Sequence, residues 1–237
     1  MTDSEPAGNG PTGASARRGA PLAVSRVVAA VRDGVRDGRF VPGQRLIEAD
    51  LVRDLGVGRN ALREALSRLA SDGIVTIEPH RGASITRLSR DDVAQLYELR
   101  EVVEGLAARL AAERIDQPGH RERLSAALEA MRAAARTAPM PEYIDENIEF
   151  HRAIVELSGR PRLSELVEQL QLQTFRIQFR SATARDRTGM RQYSMDEHET
   201  LAAAILAGDP ETAENTMRAH LRHTGHGIMQ LPDNDFA

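Results

Sequence analysis

The chain has 237 residues, 41% hydrophobic and 28% charged, which suits a folded protein of one large domain or two smaller ones. Aromatics are 3%, Trp and Cys are absent, and Ala and Leu fill the apolar positions; this excludes disulfides and thiolate metal sites and favours helices over a β-sandwich. The net charge of −4 is unevenly spread, since residues 22–88 carry eleven Arg against eight Asp plus Glu and residues 89–237 carry eighteen against twenty-five. A mildly basic module joined to an acidic one fits a nucleic-acid-binding head on a body with another task. No apolar run is long enough to span a bilayer and no signal-peptide core is present, so the expectation is a cytoplasmic protein with no membrane partner.

Residues 1–21 are rich in Gly, Ala, Ser, Thr and Pro and read as a disordered leader. Val24, Val27, Val28, Val31 and Val35 then recur at a helical period, predicting a helix over 24–36 that Gly38 ends. A second helix is predicted over 46–55, after the Pro42-Gly43 turn and before Gly56. A third covers 59–71, with Leu62, Ala65, Leu66 and Leu69 on one face and Gly73 as its stop. Residues 74–77 and 83–86 read as two short strands around the turn Pro79-His80-Arg81-Gly82. A helix, a helix–turn–helix and a hairpin, in that order, make a winged helix. The N-terminal end of the third helix, with Arg59, Asn60 and Arg63, would then enter the major groove, where Arg pairs bidentately with guanine and Asn with adenine. His80, Arg81 and Gly82 would form the wing tip, and Arg45 would clamp a phosphate.

Within this segment, Pro42-Gly43-Gln44-Arg45-Leu46, Leu51-Val52-Arg53-Asp54-Leu55-Gly56-Val57-Gly58-Arg59 and Arg63-Glu64-Ala65-Leu66-Ser67-Arg68-Leu69 resemble the GntR family of bacterial transcription regulators. Asp72-Gly73-Ile74-Val75 and Arg81-Gly82-Ala83 extend the likeness across residues 22–88. The resemblance implies a homodimer on a short inverted repeat of double-stranded DNA, most often a repressor, with Arg45, Arg59, Arg63 and Gly82 at the contacts. The chain departs from the family pattern at Gly58, where Ser is common, at Asn60-Ala61, where Thr-Pro is common, and at Ala49, where an Arg often stands.

Residues 89–229 show helical patterning and no strand pattern, so the fold class is mainly α: a winged helix–turn–helix with a small hairpin, followed by an all-α bundle. Ser89-Arg90-Asp91-Asp92 is a capping-box-like start. Val93, Leu96, Tyr97, Val103, Leu106, Ala107 and Leu110 recur at helical spacing in the first bundle helix, with Leu96, Val103 and Leu110 for the core or a dimer interface. Further helices are expected over 121–136, after Pro139 and Pro141, over 163–179, over 195–206 and over 211–228, with 182–189 a polar connection and 230–237 a C-terminal tail.

Asn147 and His151 lie four apart and so share a helix face, while His198 and His220 stand on two further helices. Three neutral imidazoles and one oxygen ligand suit Zn, Ni, Mn or Fe, and an open position would accept a carboxylate. The run 97–104, the run 147–151, Glu197-His198 and the run 217–221 resemble the FCD domain, the ligand-binding domain of the FadR-type branch of GntR regulators. The resemblance implies a metal at the floor of a pocket, ligated from above by a small organic acid, at the positions of Asn147, His151, His198 and His220. Asp is common where Asn147 stands, and a neutral amide leaves a loaded site more cationic by about one charge.

Arg100 would hold an effector carboxylate bidentately, or else pair with Glu104 one turn along its helix. Arg176 and Arg180, four apart, would line the same pocket. His223 and His226 read as a polar face or as partners of the helix dipole, and His120 as a turn residue. A metal-independent regulator that takes a larger acyl ligand is one alternative. A helical metallohydrolase is another, although no general base is placed beside the site: Glu149 and Glu197 point elsewhere as helix neighbours.

Overall fold

The structure, a computed structural model, describes the backbone of residues 14–184 and 187–237, and the side chains of 22–140, 142–174 and 194–237. The chain divides into two compact units, Met1–Thr86 and Arg87–Ala237.

In the first unit α1 (Ala14–Arg36) packs on α3 (Arg59–Ser71). The predicted valines Val24, Val27, Val28, Val31 and Val35 are all buried, as are Leu62, Ala65, Leu66 and Leu69. Burying each of these valines and leucines is worth roughly 1.5–3 kcal/mol. Arg32 adds a half-buried tie to Asp72 at 3.1 Å. The helix starts earlier than expected, because residues 14–20 of the expected leader include the good helix formers Ala and Arg. Residues 1–13 of that leader lie outside the described residues.

The second helix, by contrast, is shorter than expected. Arg45–Leu46 form a two-residue strand, β1, and α2 spans Glu48–Leu55. Leu46 is drawn into a sheet, and Glu48 and Asp50 then favour the positive end of the helix dipole. The sheet is antiparallel with order β1-β3-β2, where β2 is Val75–Glu78 and β3 is Gly82–Ile85. Its register sets Arg45 opposite Ser84 and Glu78 opposite Gly82.

The second unit is a bundle of α4 (Arg90–Glu113), α5 (His120–Thr137), α6 (Met140–Leu157), α7 (Pro161–Ala184), α8 (Arg187–Leu206) and α9 (Pro210–Ile228). Ser89 caps α4 in a full capping box with Asp92, an arrangement worth about 1 kcal/mol. The expected connection over 182–189 is largely helical, shared between α7 and α8, with residues 185–186 outside the described residues.

Two elements are placed more closely than their sequence implies. The buried face of α4 runs through Val93, Tyr97, Arg100, Glu104, Ala107, Ala108 and Ala111, whereas Leu96, Val103 and Leu110 are only half-buried. Ala and Gly105 let α9 approach closely, and two paired charges occupy core positions. The tail, 230–237, returns to the bundle: Leu231 and Phe236 are buried in the same core as Phe150, Leu201 and Met217. None of the described helices is long and apolar enough to cross a membrane.

Candidate metal centre and nucleic-acid interface

Three helices of the second unit bring His151 (α6), His198 (α8) and His220 (α9) together, with 2%, 0% and 5% of their surface exposed. One ring nitrogen from each lies within 4.8 Å of the others. The rings sit 4.4–5.4 Å apart, centroid to centroid. Phe150, fully buried, stands edge-on to His151 and His198 and closes one side. Asn147, one turn before His151 on α6, is also buried.

Each imidazole is held from behind. Glu104 Oε2 lies 2.8 Å from His151 Nδ1, and Glu197 Oε2 lies 2.9 Å from His220 Nδ1. An ionised carboxylate only accepts, so both Nδ1 atoms donate, which leaves Nε2 of each ring as the atom that could bind a metal. His198 Nε2 is 3.3 Å from His151 Nε2, and its Nδ1 is 3.3 Å from Ser194 Oγ. This is the carboxylate–histidine arrangement that fixes tautomer and raises ligand basicity at metal sites.

The electrostatics disfavour the charged forms of His198 and His220 and keep the supporting carboxylates charged. Burial, with the neighbouring His220 and His151, drives the His198 pKa well below its ordinary value. Burial also lowers that of His220, against the pull of Glu197. For Glu104, burial alone would push the carboxyl up, but Arg100 and the His151 hydrogen bond outweigh it and hold it at about 2. Glu197 behaves likewise, its burial outweighed by hydrogen bonds from His220 and His223.

The expected alternative for Arg100, a pair with Glu104, is the one formed; what the sequence does not reveal is that Glu104 also bonds His151, and that Glu197, expected to point elsewhere, bonds His220. The signal for a buried role is that these two opposite charges, Arg100 and Glu104, four apart, lie among Ala positions that face the core. Arg100 makes the pair with Glu104 at 2.7 Å and donates to Thr174 Oγ1 at 3.2 Å. Arg176 and Arg180 lie on α7 with their side chains outside the described residues. His223 is exposed and bonds Glu197 at 2.6 Å; His226 stands in the last turn of α9, and His120 begins α5. Glu149 faces Arg123 and Arg152, away from the histidines.

In the first unit Arg59, Asn60 and Arg63 are exposed at the N-terminal end of α3. Arg63 has only a loose approach to Glu48 at 3.8 Å. The sheet register carries Arg45 beside the wing, where a Cβ added to Gly82 would lie 3.8 Å from its guanidinium. Gly82 has φ +84°, which suits glycine, and His80 adopts φ 63°, so the wing turns through two left-handed residues. Arg81 reaches Glu78 at 3.2 Å and stays exposed.

The gntR family of bacterial regulatory proteins matches residues 23–85, and the FCD domain matches residues 95–223. A regulator of the HTH type from Agrobacterium vitis is 38% identical over 141 residues, 58% of this chain and 81% of the relative. The chain belongs to the GntR family and carries an FCD domain. The HTH-type transcriptional repressor GlaR of Escherichia coli is 28% identical, over 81% of this chain and 89% of that protein. Among solved structures, Escherichia coli McbR/YncC shares the fold, with a TM-score of 0.76 at 24% identity over 88% of this chain and 97% of that one. The family and these relatives are DNA-binding transcription regulators, not enzymes.

For a GntR regulator the departures have local consequences. Gly58 caps α3 with extended backbone (φ −76°, ψ 152°) and no side-chain hydrogen bond. Asn60 and Ala61 leave the start of that helix with an amide where the family commonly has Thr. Ala49 is exposed and offers no cation.

Proposed function

We propose that this GntR regulator is a cytoplasmic homodimeric repressor that binds a short inverted repeat and is released by a small organic acid bound at a metal in the FCD domain. The observation that carries this reading is the convergence of three buried imidazoles, two of them backed by carboxylates. The donor set fits a divalent transition metal such as Zn, Ni, Mn or Fe: His151 and His220 offer Nε2, His198 completes the cluster, and Asn147 adds a neutral oxygen. Such an ion would act as a Lewis acid with open positions for a carboxylate.

This chain's residues have separate tasks. Glu104 and Glu197 orient the imidazoles, and Phe150 keeps water from one side. Arg100 has five N–H donors, and those beyond its bonds to Glu104 and Thr174 are assigned to the far end of the acid. Arg176 and Arg180 are assigned to the pocket wall. In the head, Arg59, Asn60 and Arg63 read bases, while Arg45, His80, Arg81 and Gly82 meet the backbone and the minor groove. Leu99, Val102 and Leu106 form an exposed apolar stripe on α4, with Leu166 exposed on α7; this surface suits a second copy of the chain.

An effector must bind the DNA-free and DNA-bound states unequally, and a coupling of about 1–3 kcal/mol changes operator affinity about 5–150-fold. The test is fluorescence anisotropy on a duplex selected from random DNA by the protein, titrated with short mono- and dicarboxylates, with and without zinc. Weakening of DNA binding that needs zinc and is lost in His198→Ala is expected. Weakening without metal, unchanged in His198→Ala, would favour a metal-independent acyl ligand.

A further inference from the structure

The segment after α9 folds back on the start of the second unit. Arg90, the first residue of α4, donates to the Met229 carbonyl at 2.7 Å and to the Leu231 carbonyl at 2.6 Å. It also meets the Asp233 carboxylate at 2.8 Å. The ring of Phe236 lies under the same guanidinium, 4.2 Å from its carbon, and is almost fully buried. Two further bonds reach past Arg90: Arg87 donates to the Asn234 carbonyl at 3.0 Å, and the Ala237 amide donates to the Leu88 carbonyl at 2.8 Å. A short 3₁₀ turn, Asp233–Asp235, shapes the return.

These contacts share a purpose that a solvated tail would not need. Guanidinium bonds to a carboxylate and to carbonyls are charge-assisted, and the aromatic face adds a cation–π contact. All of them converge on residues 87–90, the first of the second unit, directly after Thr86, the last of the DNA-binding unit. The other end of the same stretch is α9, which carries His220 two turns before its close.

We infer that residues 229–236 are a strap that holds the connection to the DNA-binding unit in register with α9, so that the histidine cluster and the head communicate through it. The strap has two arrangements, docked on Arg90 and Phe236's pocket or released, and its docked fraction sets how ordered residues 86–92 are. A two-state element that both sites bias is the physical requirement for such coupling. The link to His220 rests on the metal reading above, whereas the hold on residues 86–92 does not.

The test is hydrogen exchange on the full chain, wild type against Phe236→Ala, each metal-free and with zinc. Without metal, amides of residues 86–92 should exchange at least ten-fold faster in Phe236→Ala, while those of α6 and α8 stay as in wild type. Zinc should slow residues 86–92 in wild type and leave them unaffected in the variant, although both bind it equally. Equal exchange at residues 86–92 in the two proteins, with and without zinc, would overturn the strap. If neither protein binds zinc, the metal reading fails and the strap stands or falls on the metal-free comparison. Should Phe236→Ala lose its cooperative unfolding transition, Asp233→Ala at an exposed position replaces it, with about three-fold faster exchange expected and no change refuting the strap.

Discussion

In the DNA-binding unit Arg45, Arg59, Arg63 and Arg81 stand exposed at a strand, a helix end and a wing, with at most a loose or surface carboxylate beside them among the described residues. In the FCD unit Arg100 is 3% exposed and locked to the fully buried Glu104. The same side chain therefore meets two different solvents. Surface pairs are worth about 0–1 kcal/mol and give way to a phosphate easily. A buried pair holds one geometry, because leaving either charge alone in the core is costly. The first arrangement leaves cations exposed to a polyanion, and the second holds the His151 imidazole in one orientation.

The sharpest way to break this contrast is to remove one buried partner. Glu104→Ala should lower the unfolding free energy by about 3–5 kcal/mol, measured by urea denaturation, because Arg100 is left unpaired. A loss below about 1 kcal/mol would put the pair on a par with surface ones. The same carboxyl predicts a pH effect. Its folded pKa, about 2, lies below its ordinary 4.5, so its stabilisation is complete above about pH 4.5 and is lost as the pH falls through 2. The stability gap between wild type and Glu104→Gln should close over that window, and a gap independent of pH would show that the charge is not the cause.

Of the exposed arginines, Arg63→Ala should cost about 1–3 kcal/mol of specific DNA binding, with metal content and melting temperature unchanged. The smallest expected effect is that of Arg45→Ala, which should weaken binding to all sequences alike and reduce the slope of log affinity against log salt by about one. A loss confined to one sequence would move Arg45 from the backbone to a base.

The two units also differed in how much of them was legible in advance. The valine period of α1 and the Leu62–Leu69 face of α3 are apolar patterns that packing follows directly, and both are buried as expected. The strand β1 was not legible, because two residues carry no period and Leu46 serves a strand as well as a helix. In the bundle the three histidines converge as their positions imply, while the buried face of α4 keeps Val93, Tyr97 and Ala107 of the expected apolar set and adds Arg100 and Glu104. Leu96, Val103 and Leu110 look more apolar than Arg100 and Glu104, and only tertiary pairing makes those charges acceptable in a core. Phe236 was hidden for a related reason: a single aromatic among Pro, Asp and Asn has no pattern until Arg90 is beside it.

The measurement that tests the central claim most directly is the metal content of full-length, tag-free protein purified without chelator, in wild type and His198→Ala. The arrangement of the three imidazoles predicts about one transition-metal ion per wild-type chain and none in the variant. No metal in either protein, even after addition of zinc, nickel and manganese, would contradict it and leave the histidines as a neutral, hydrogen-bonded part of the core.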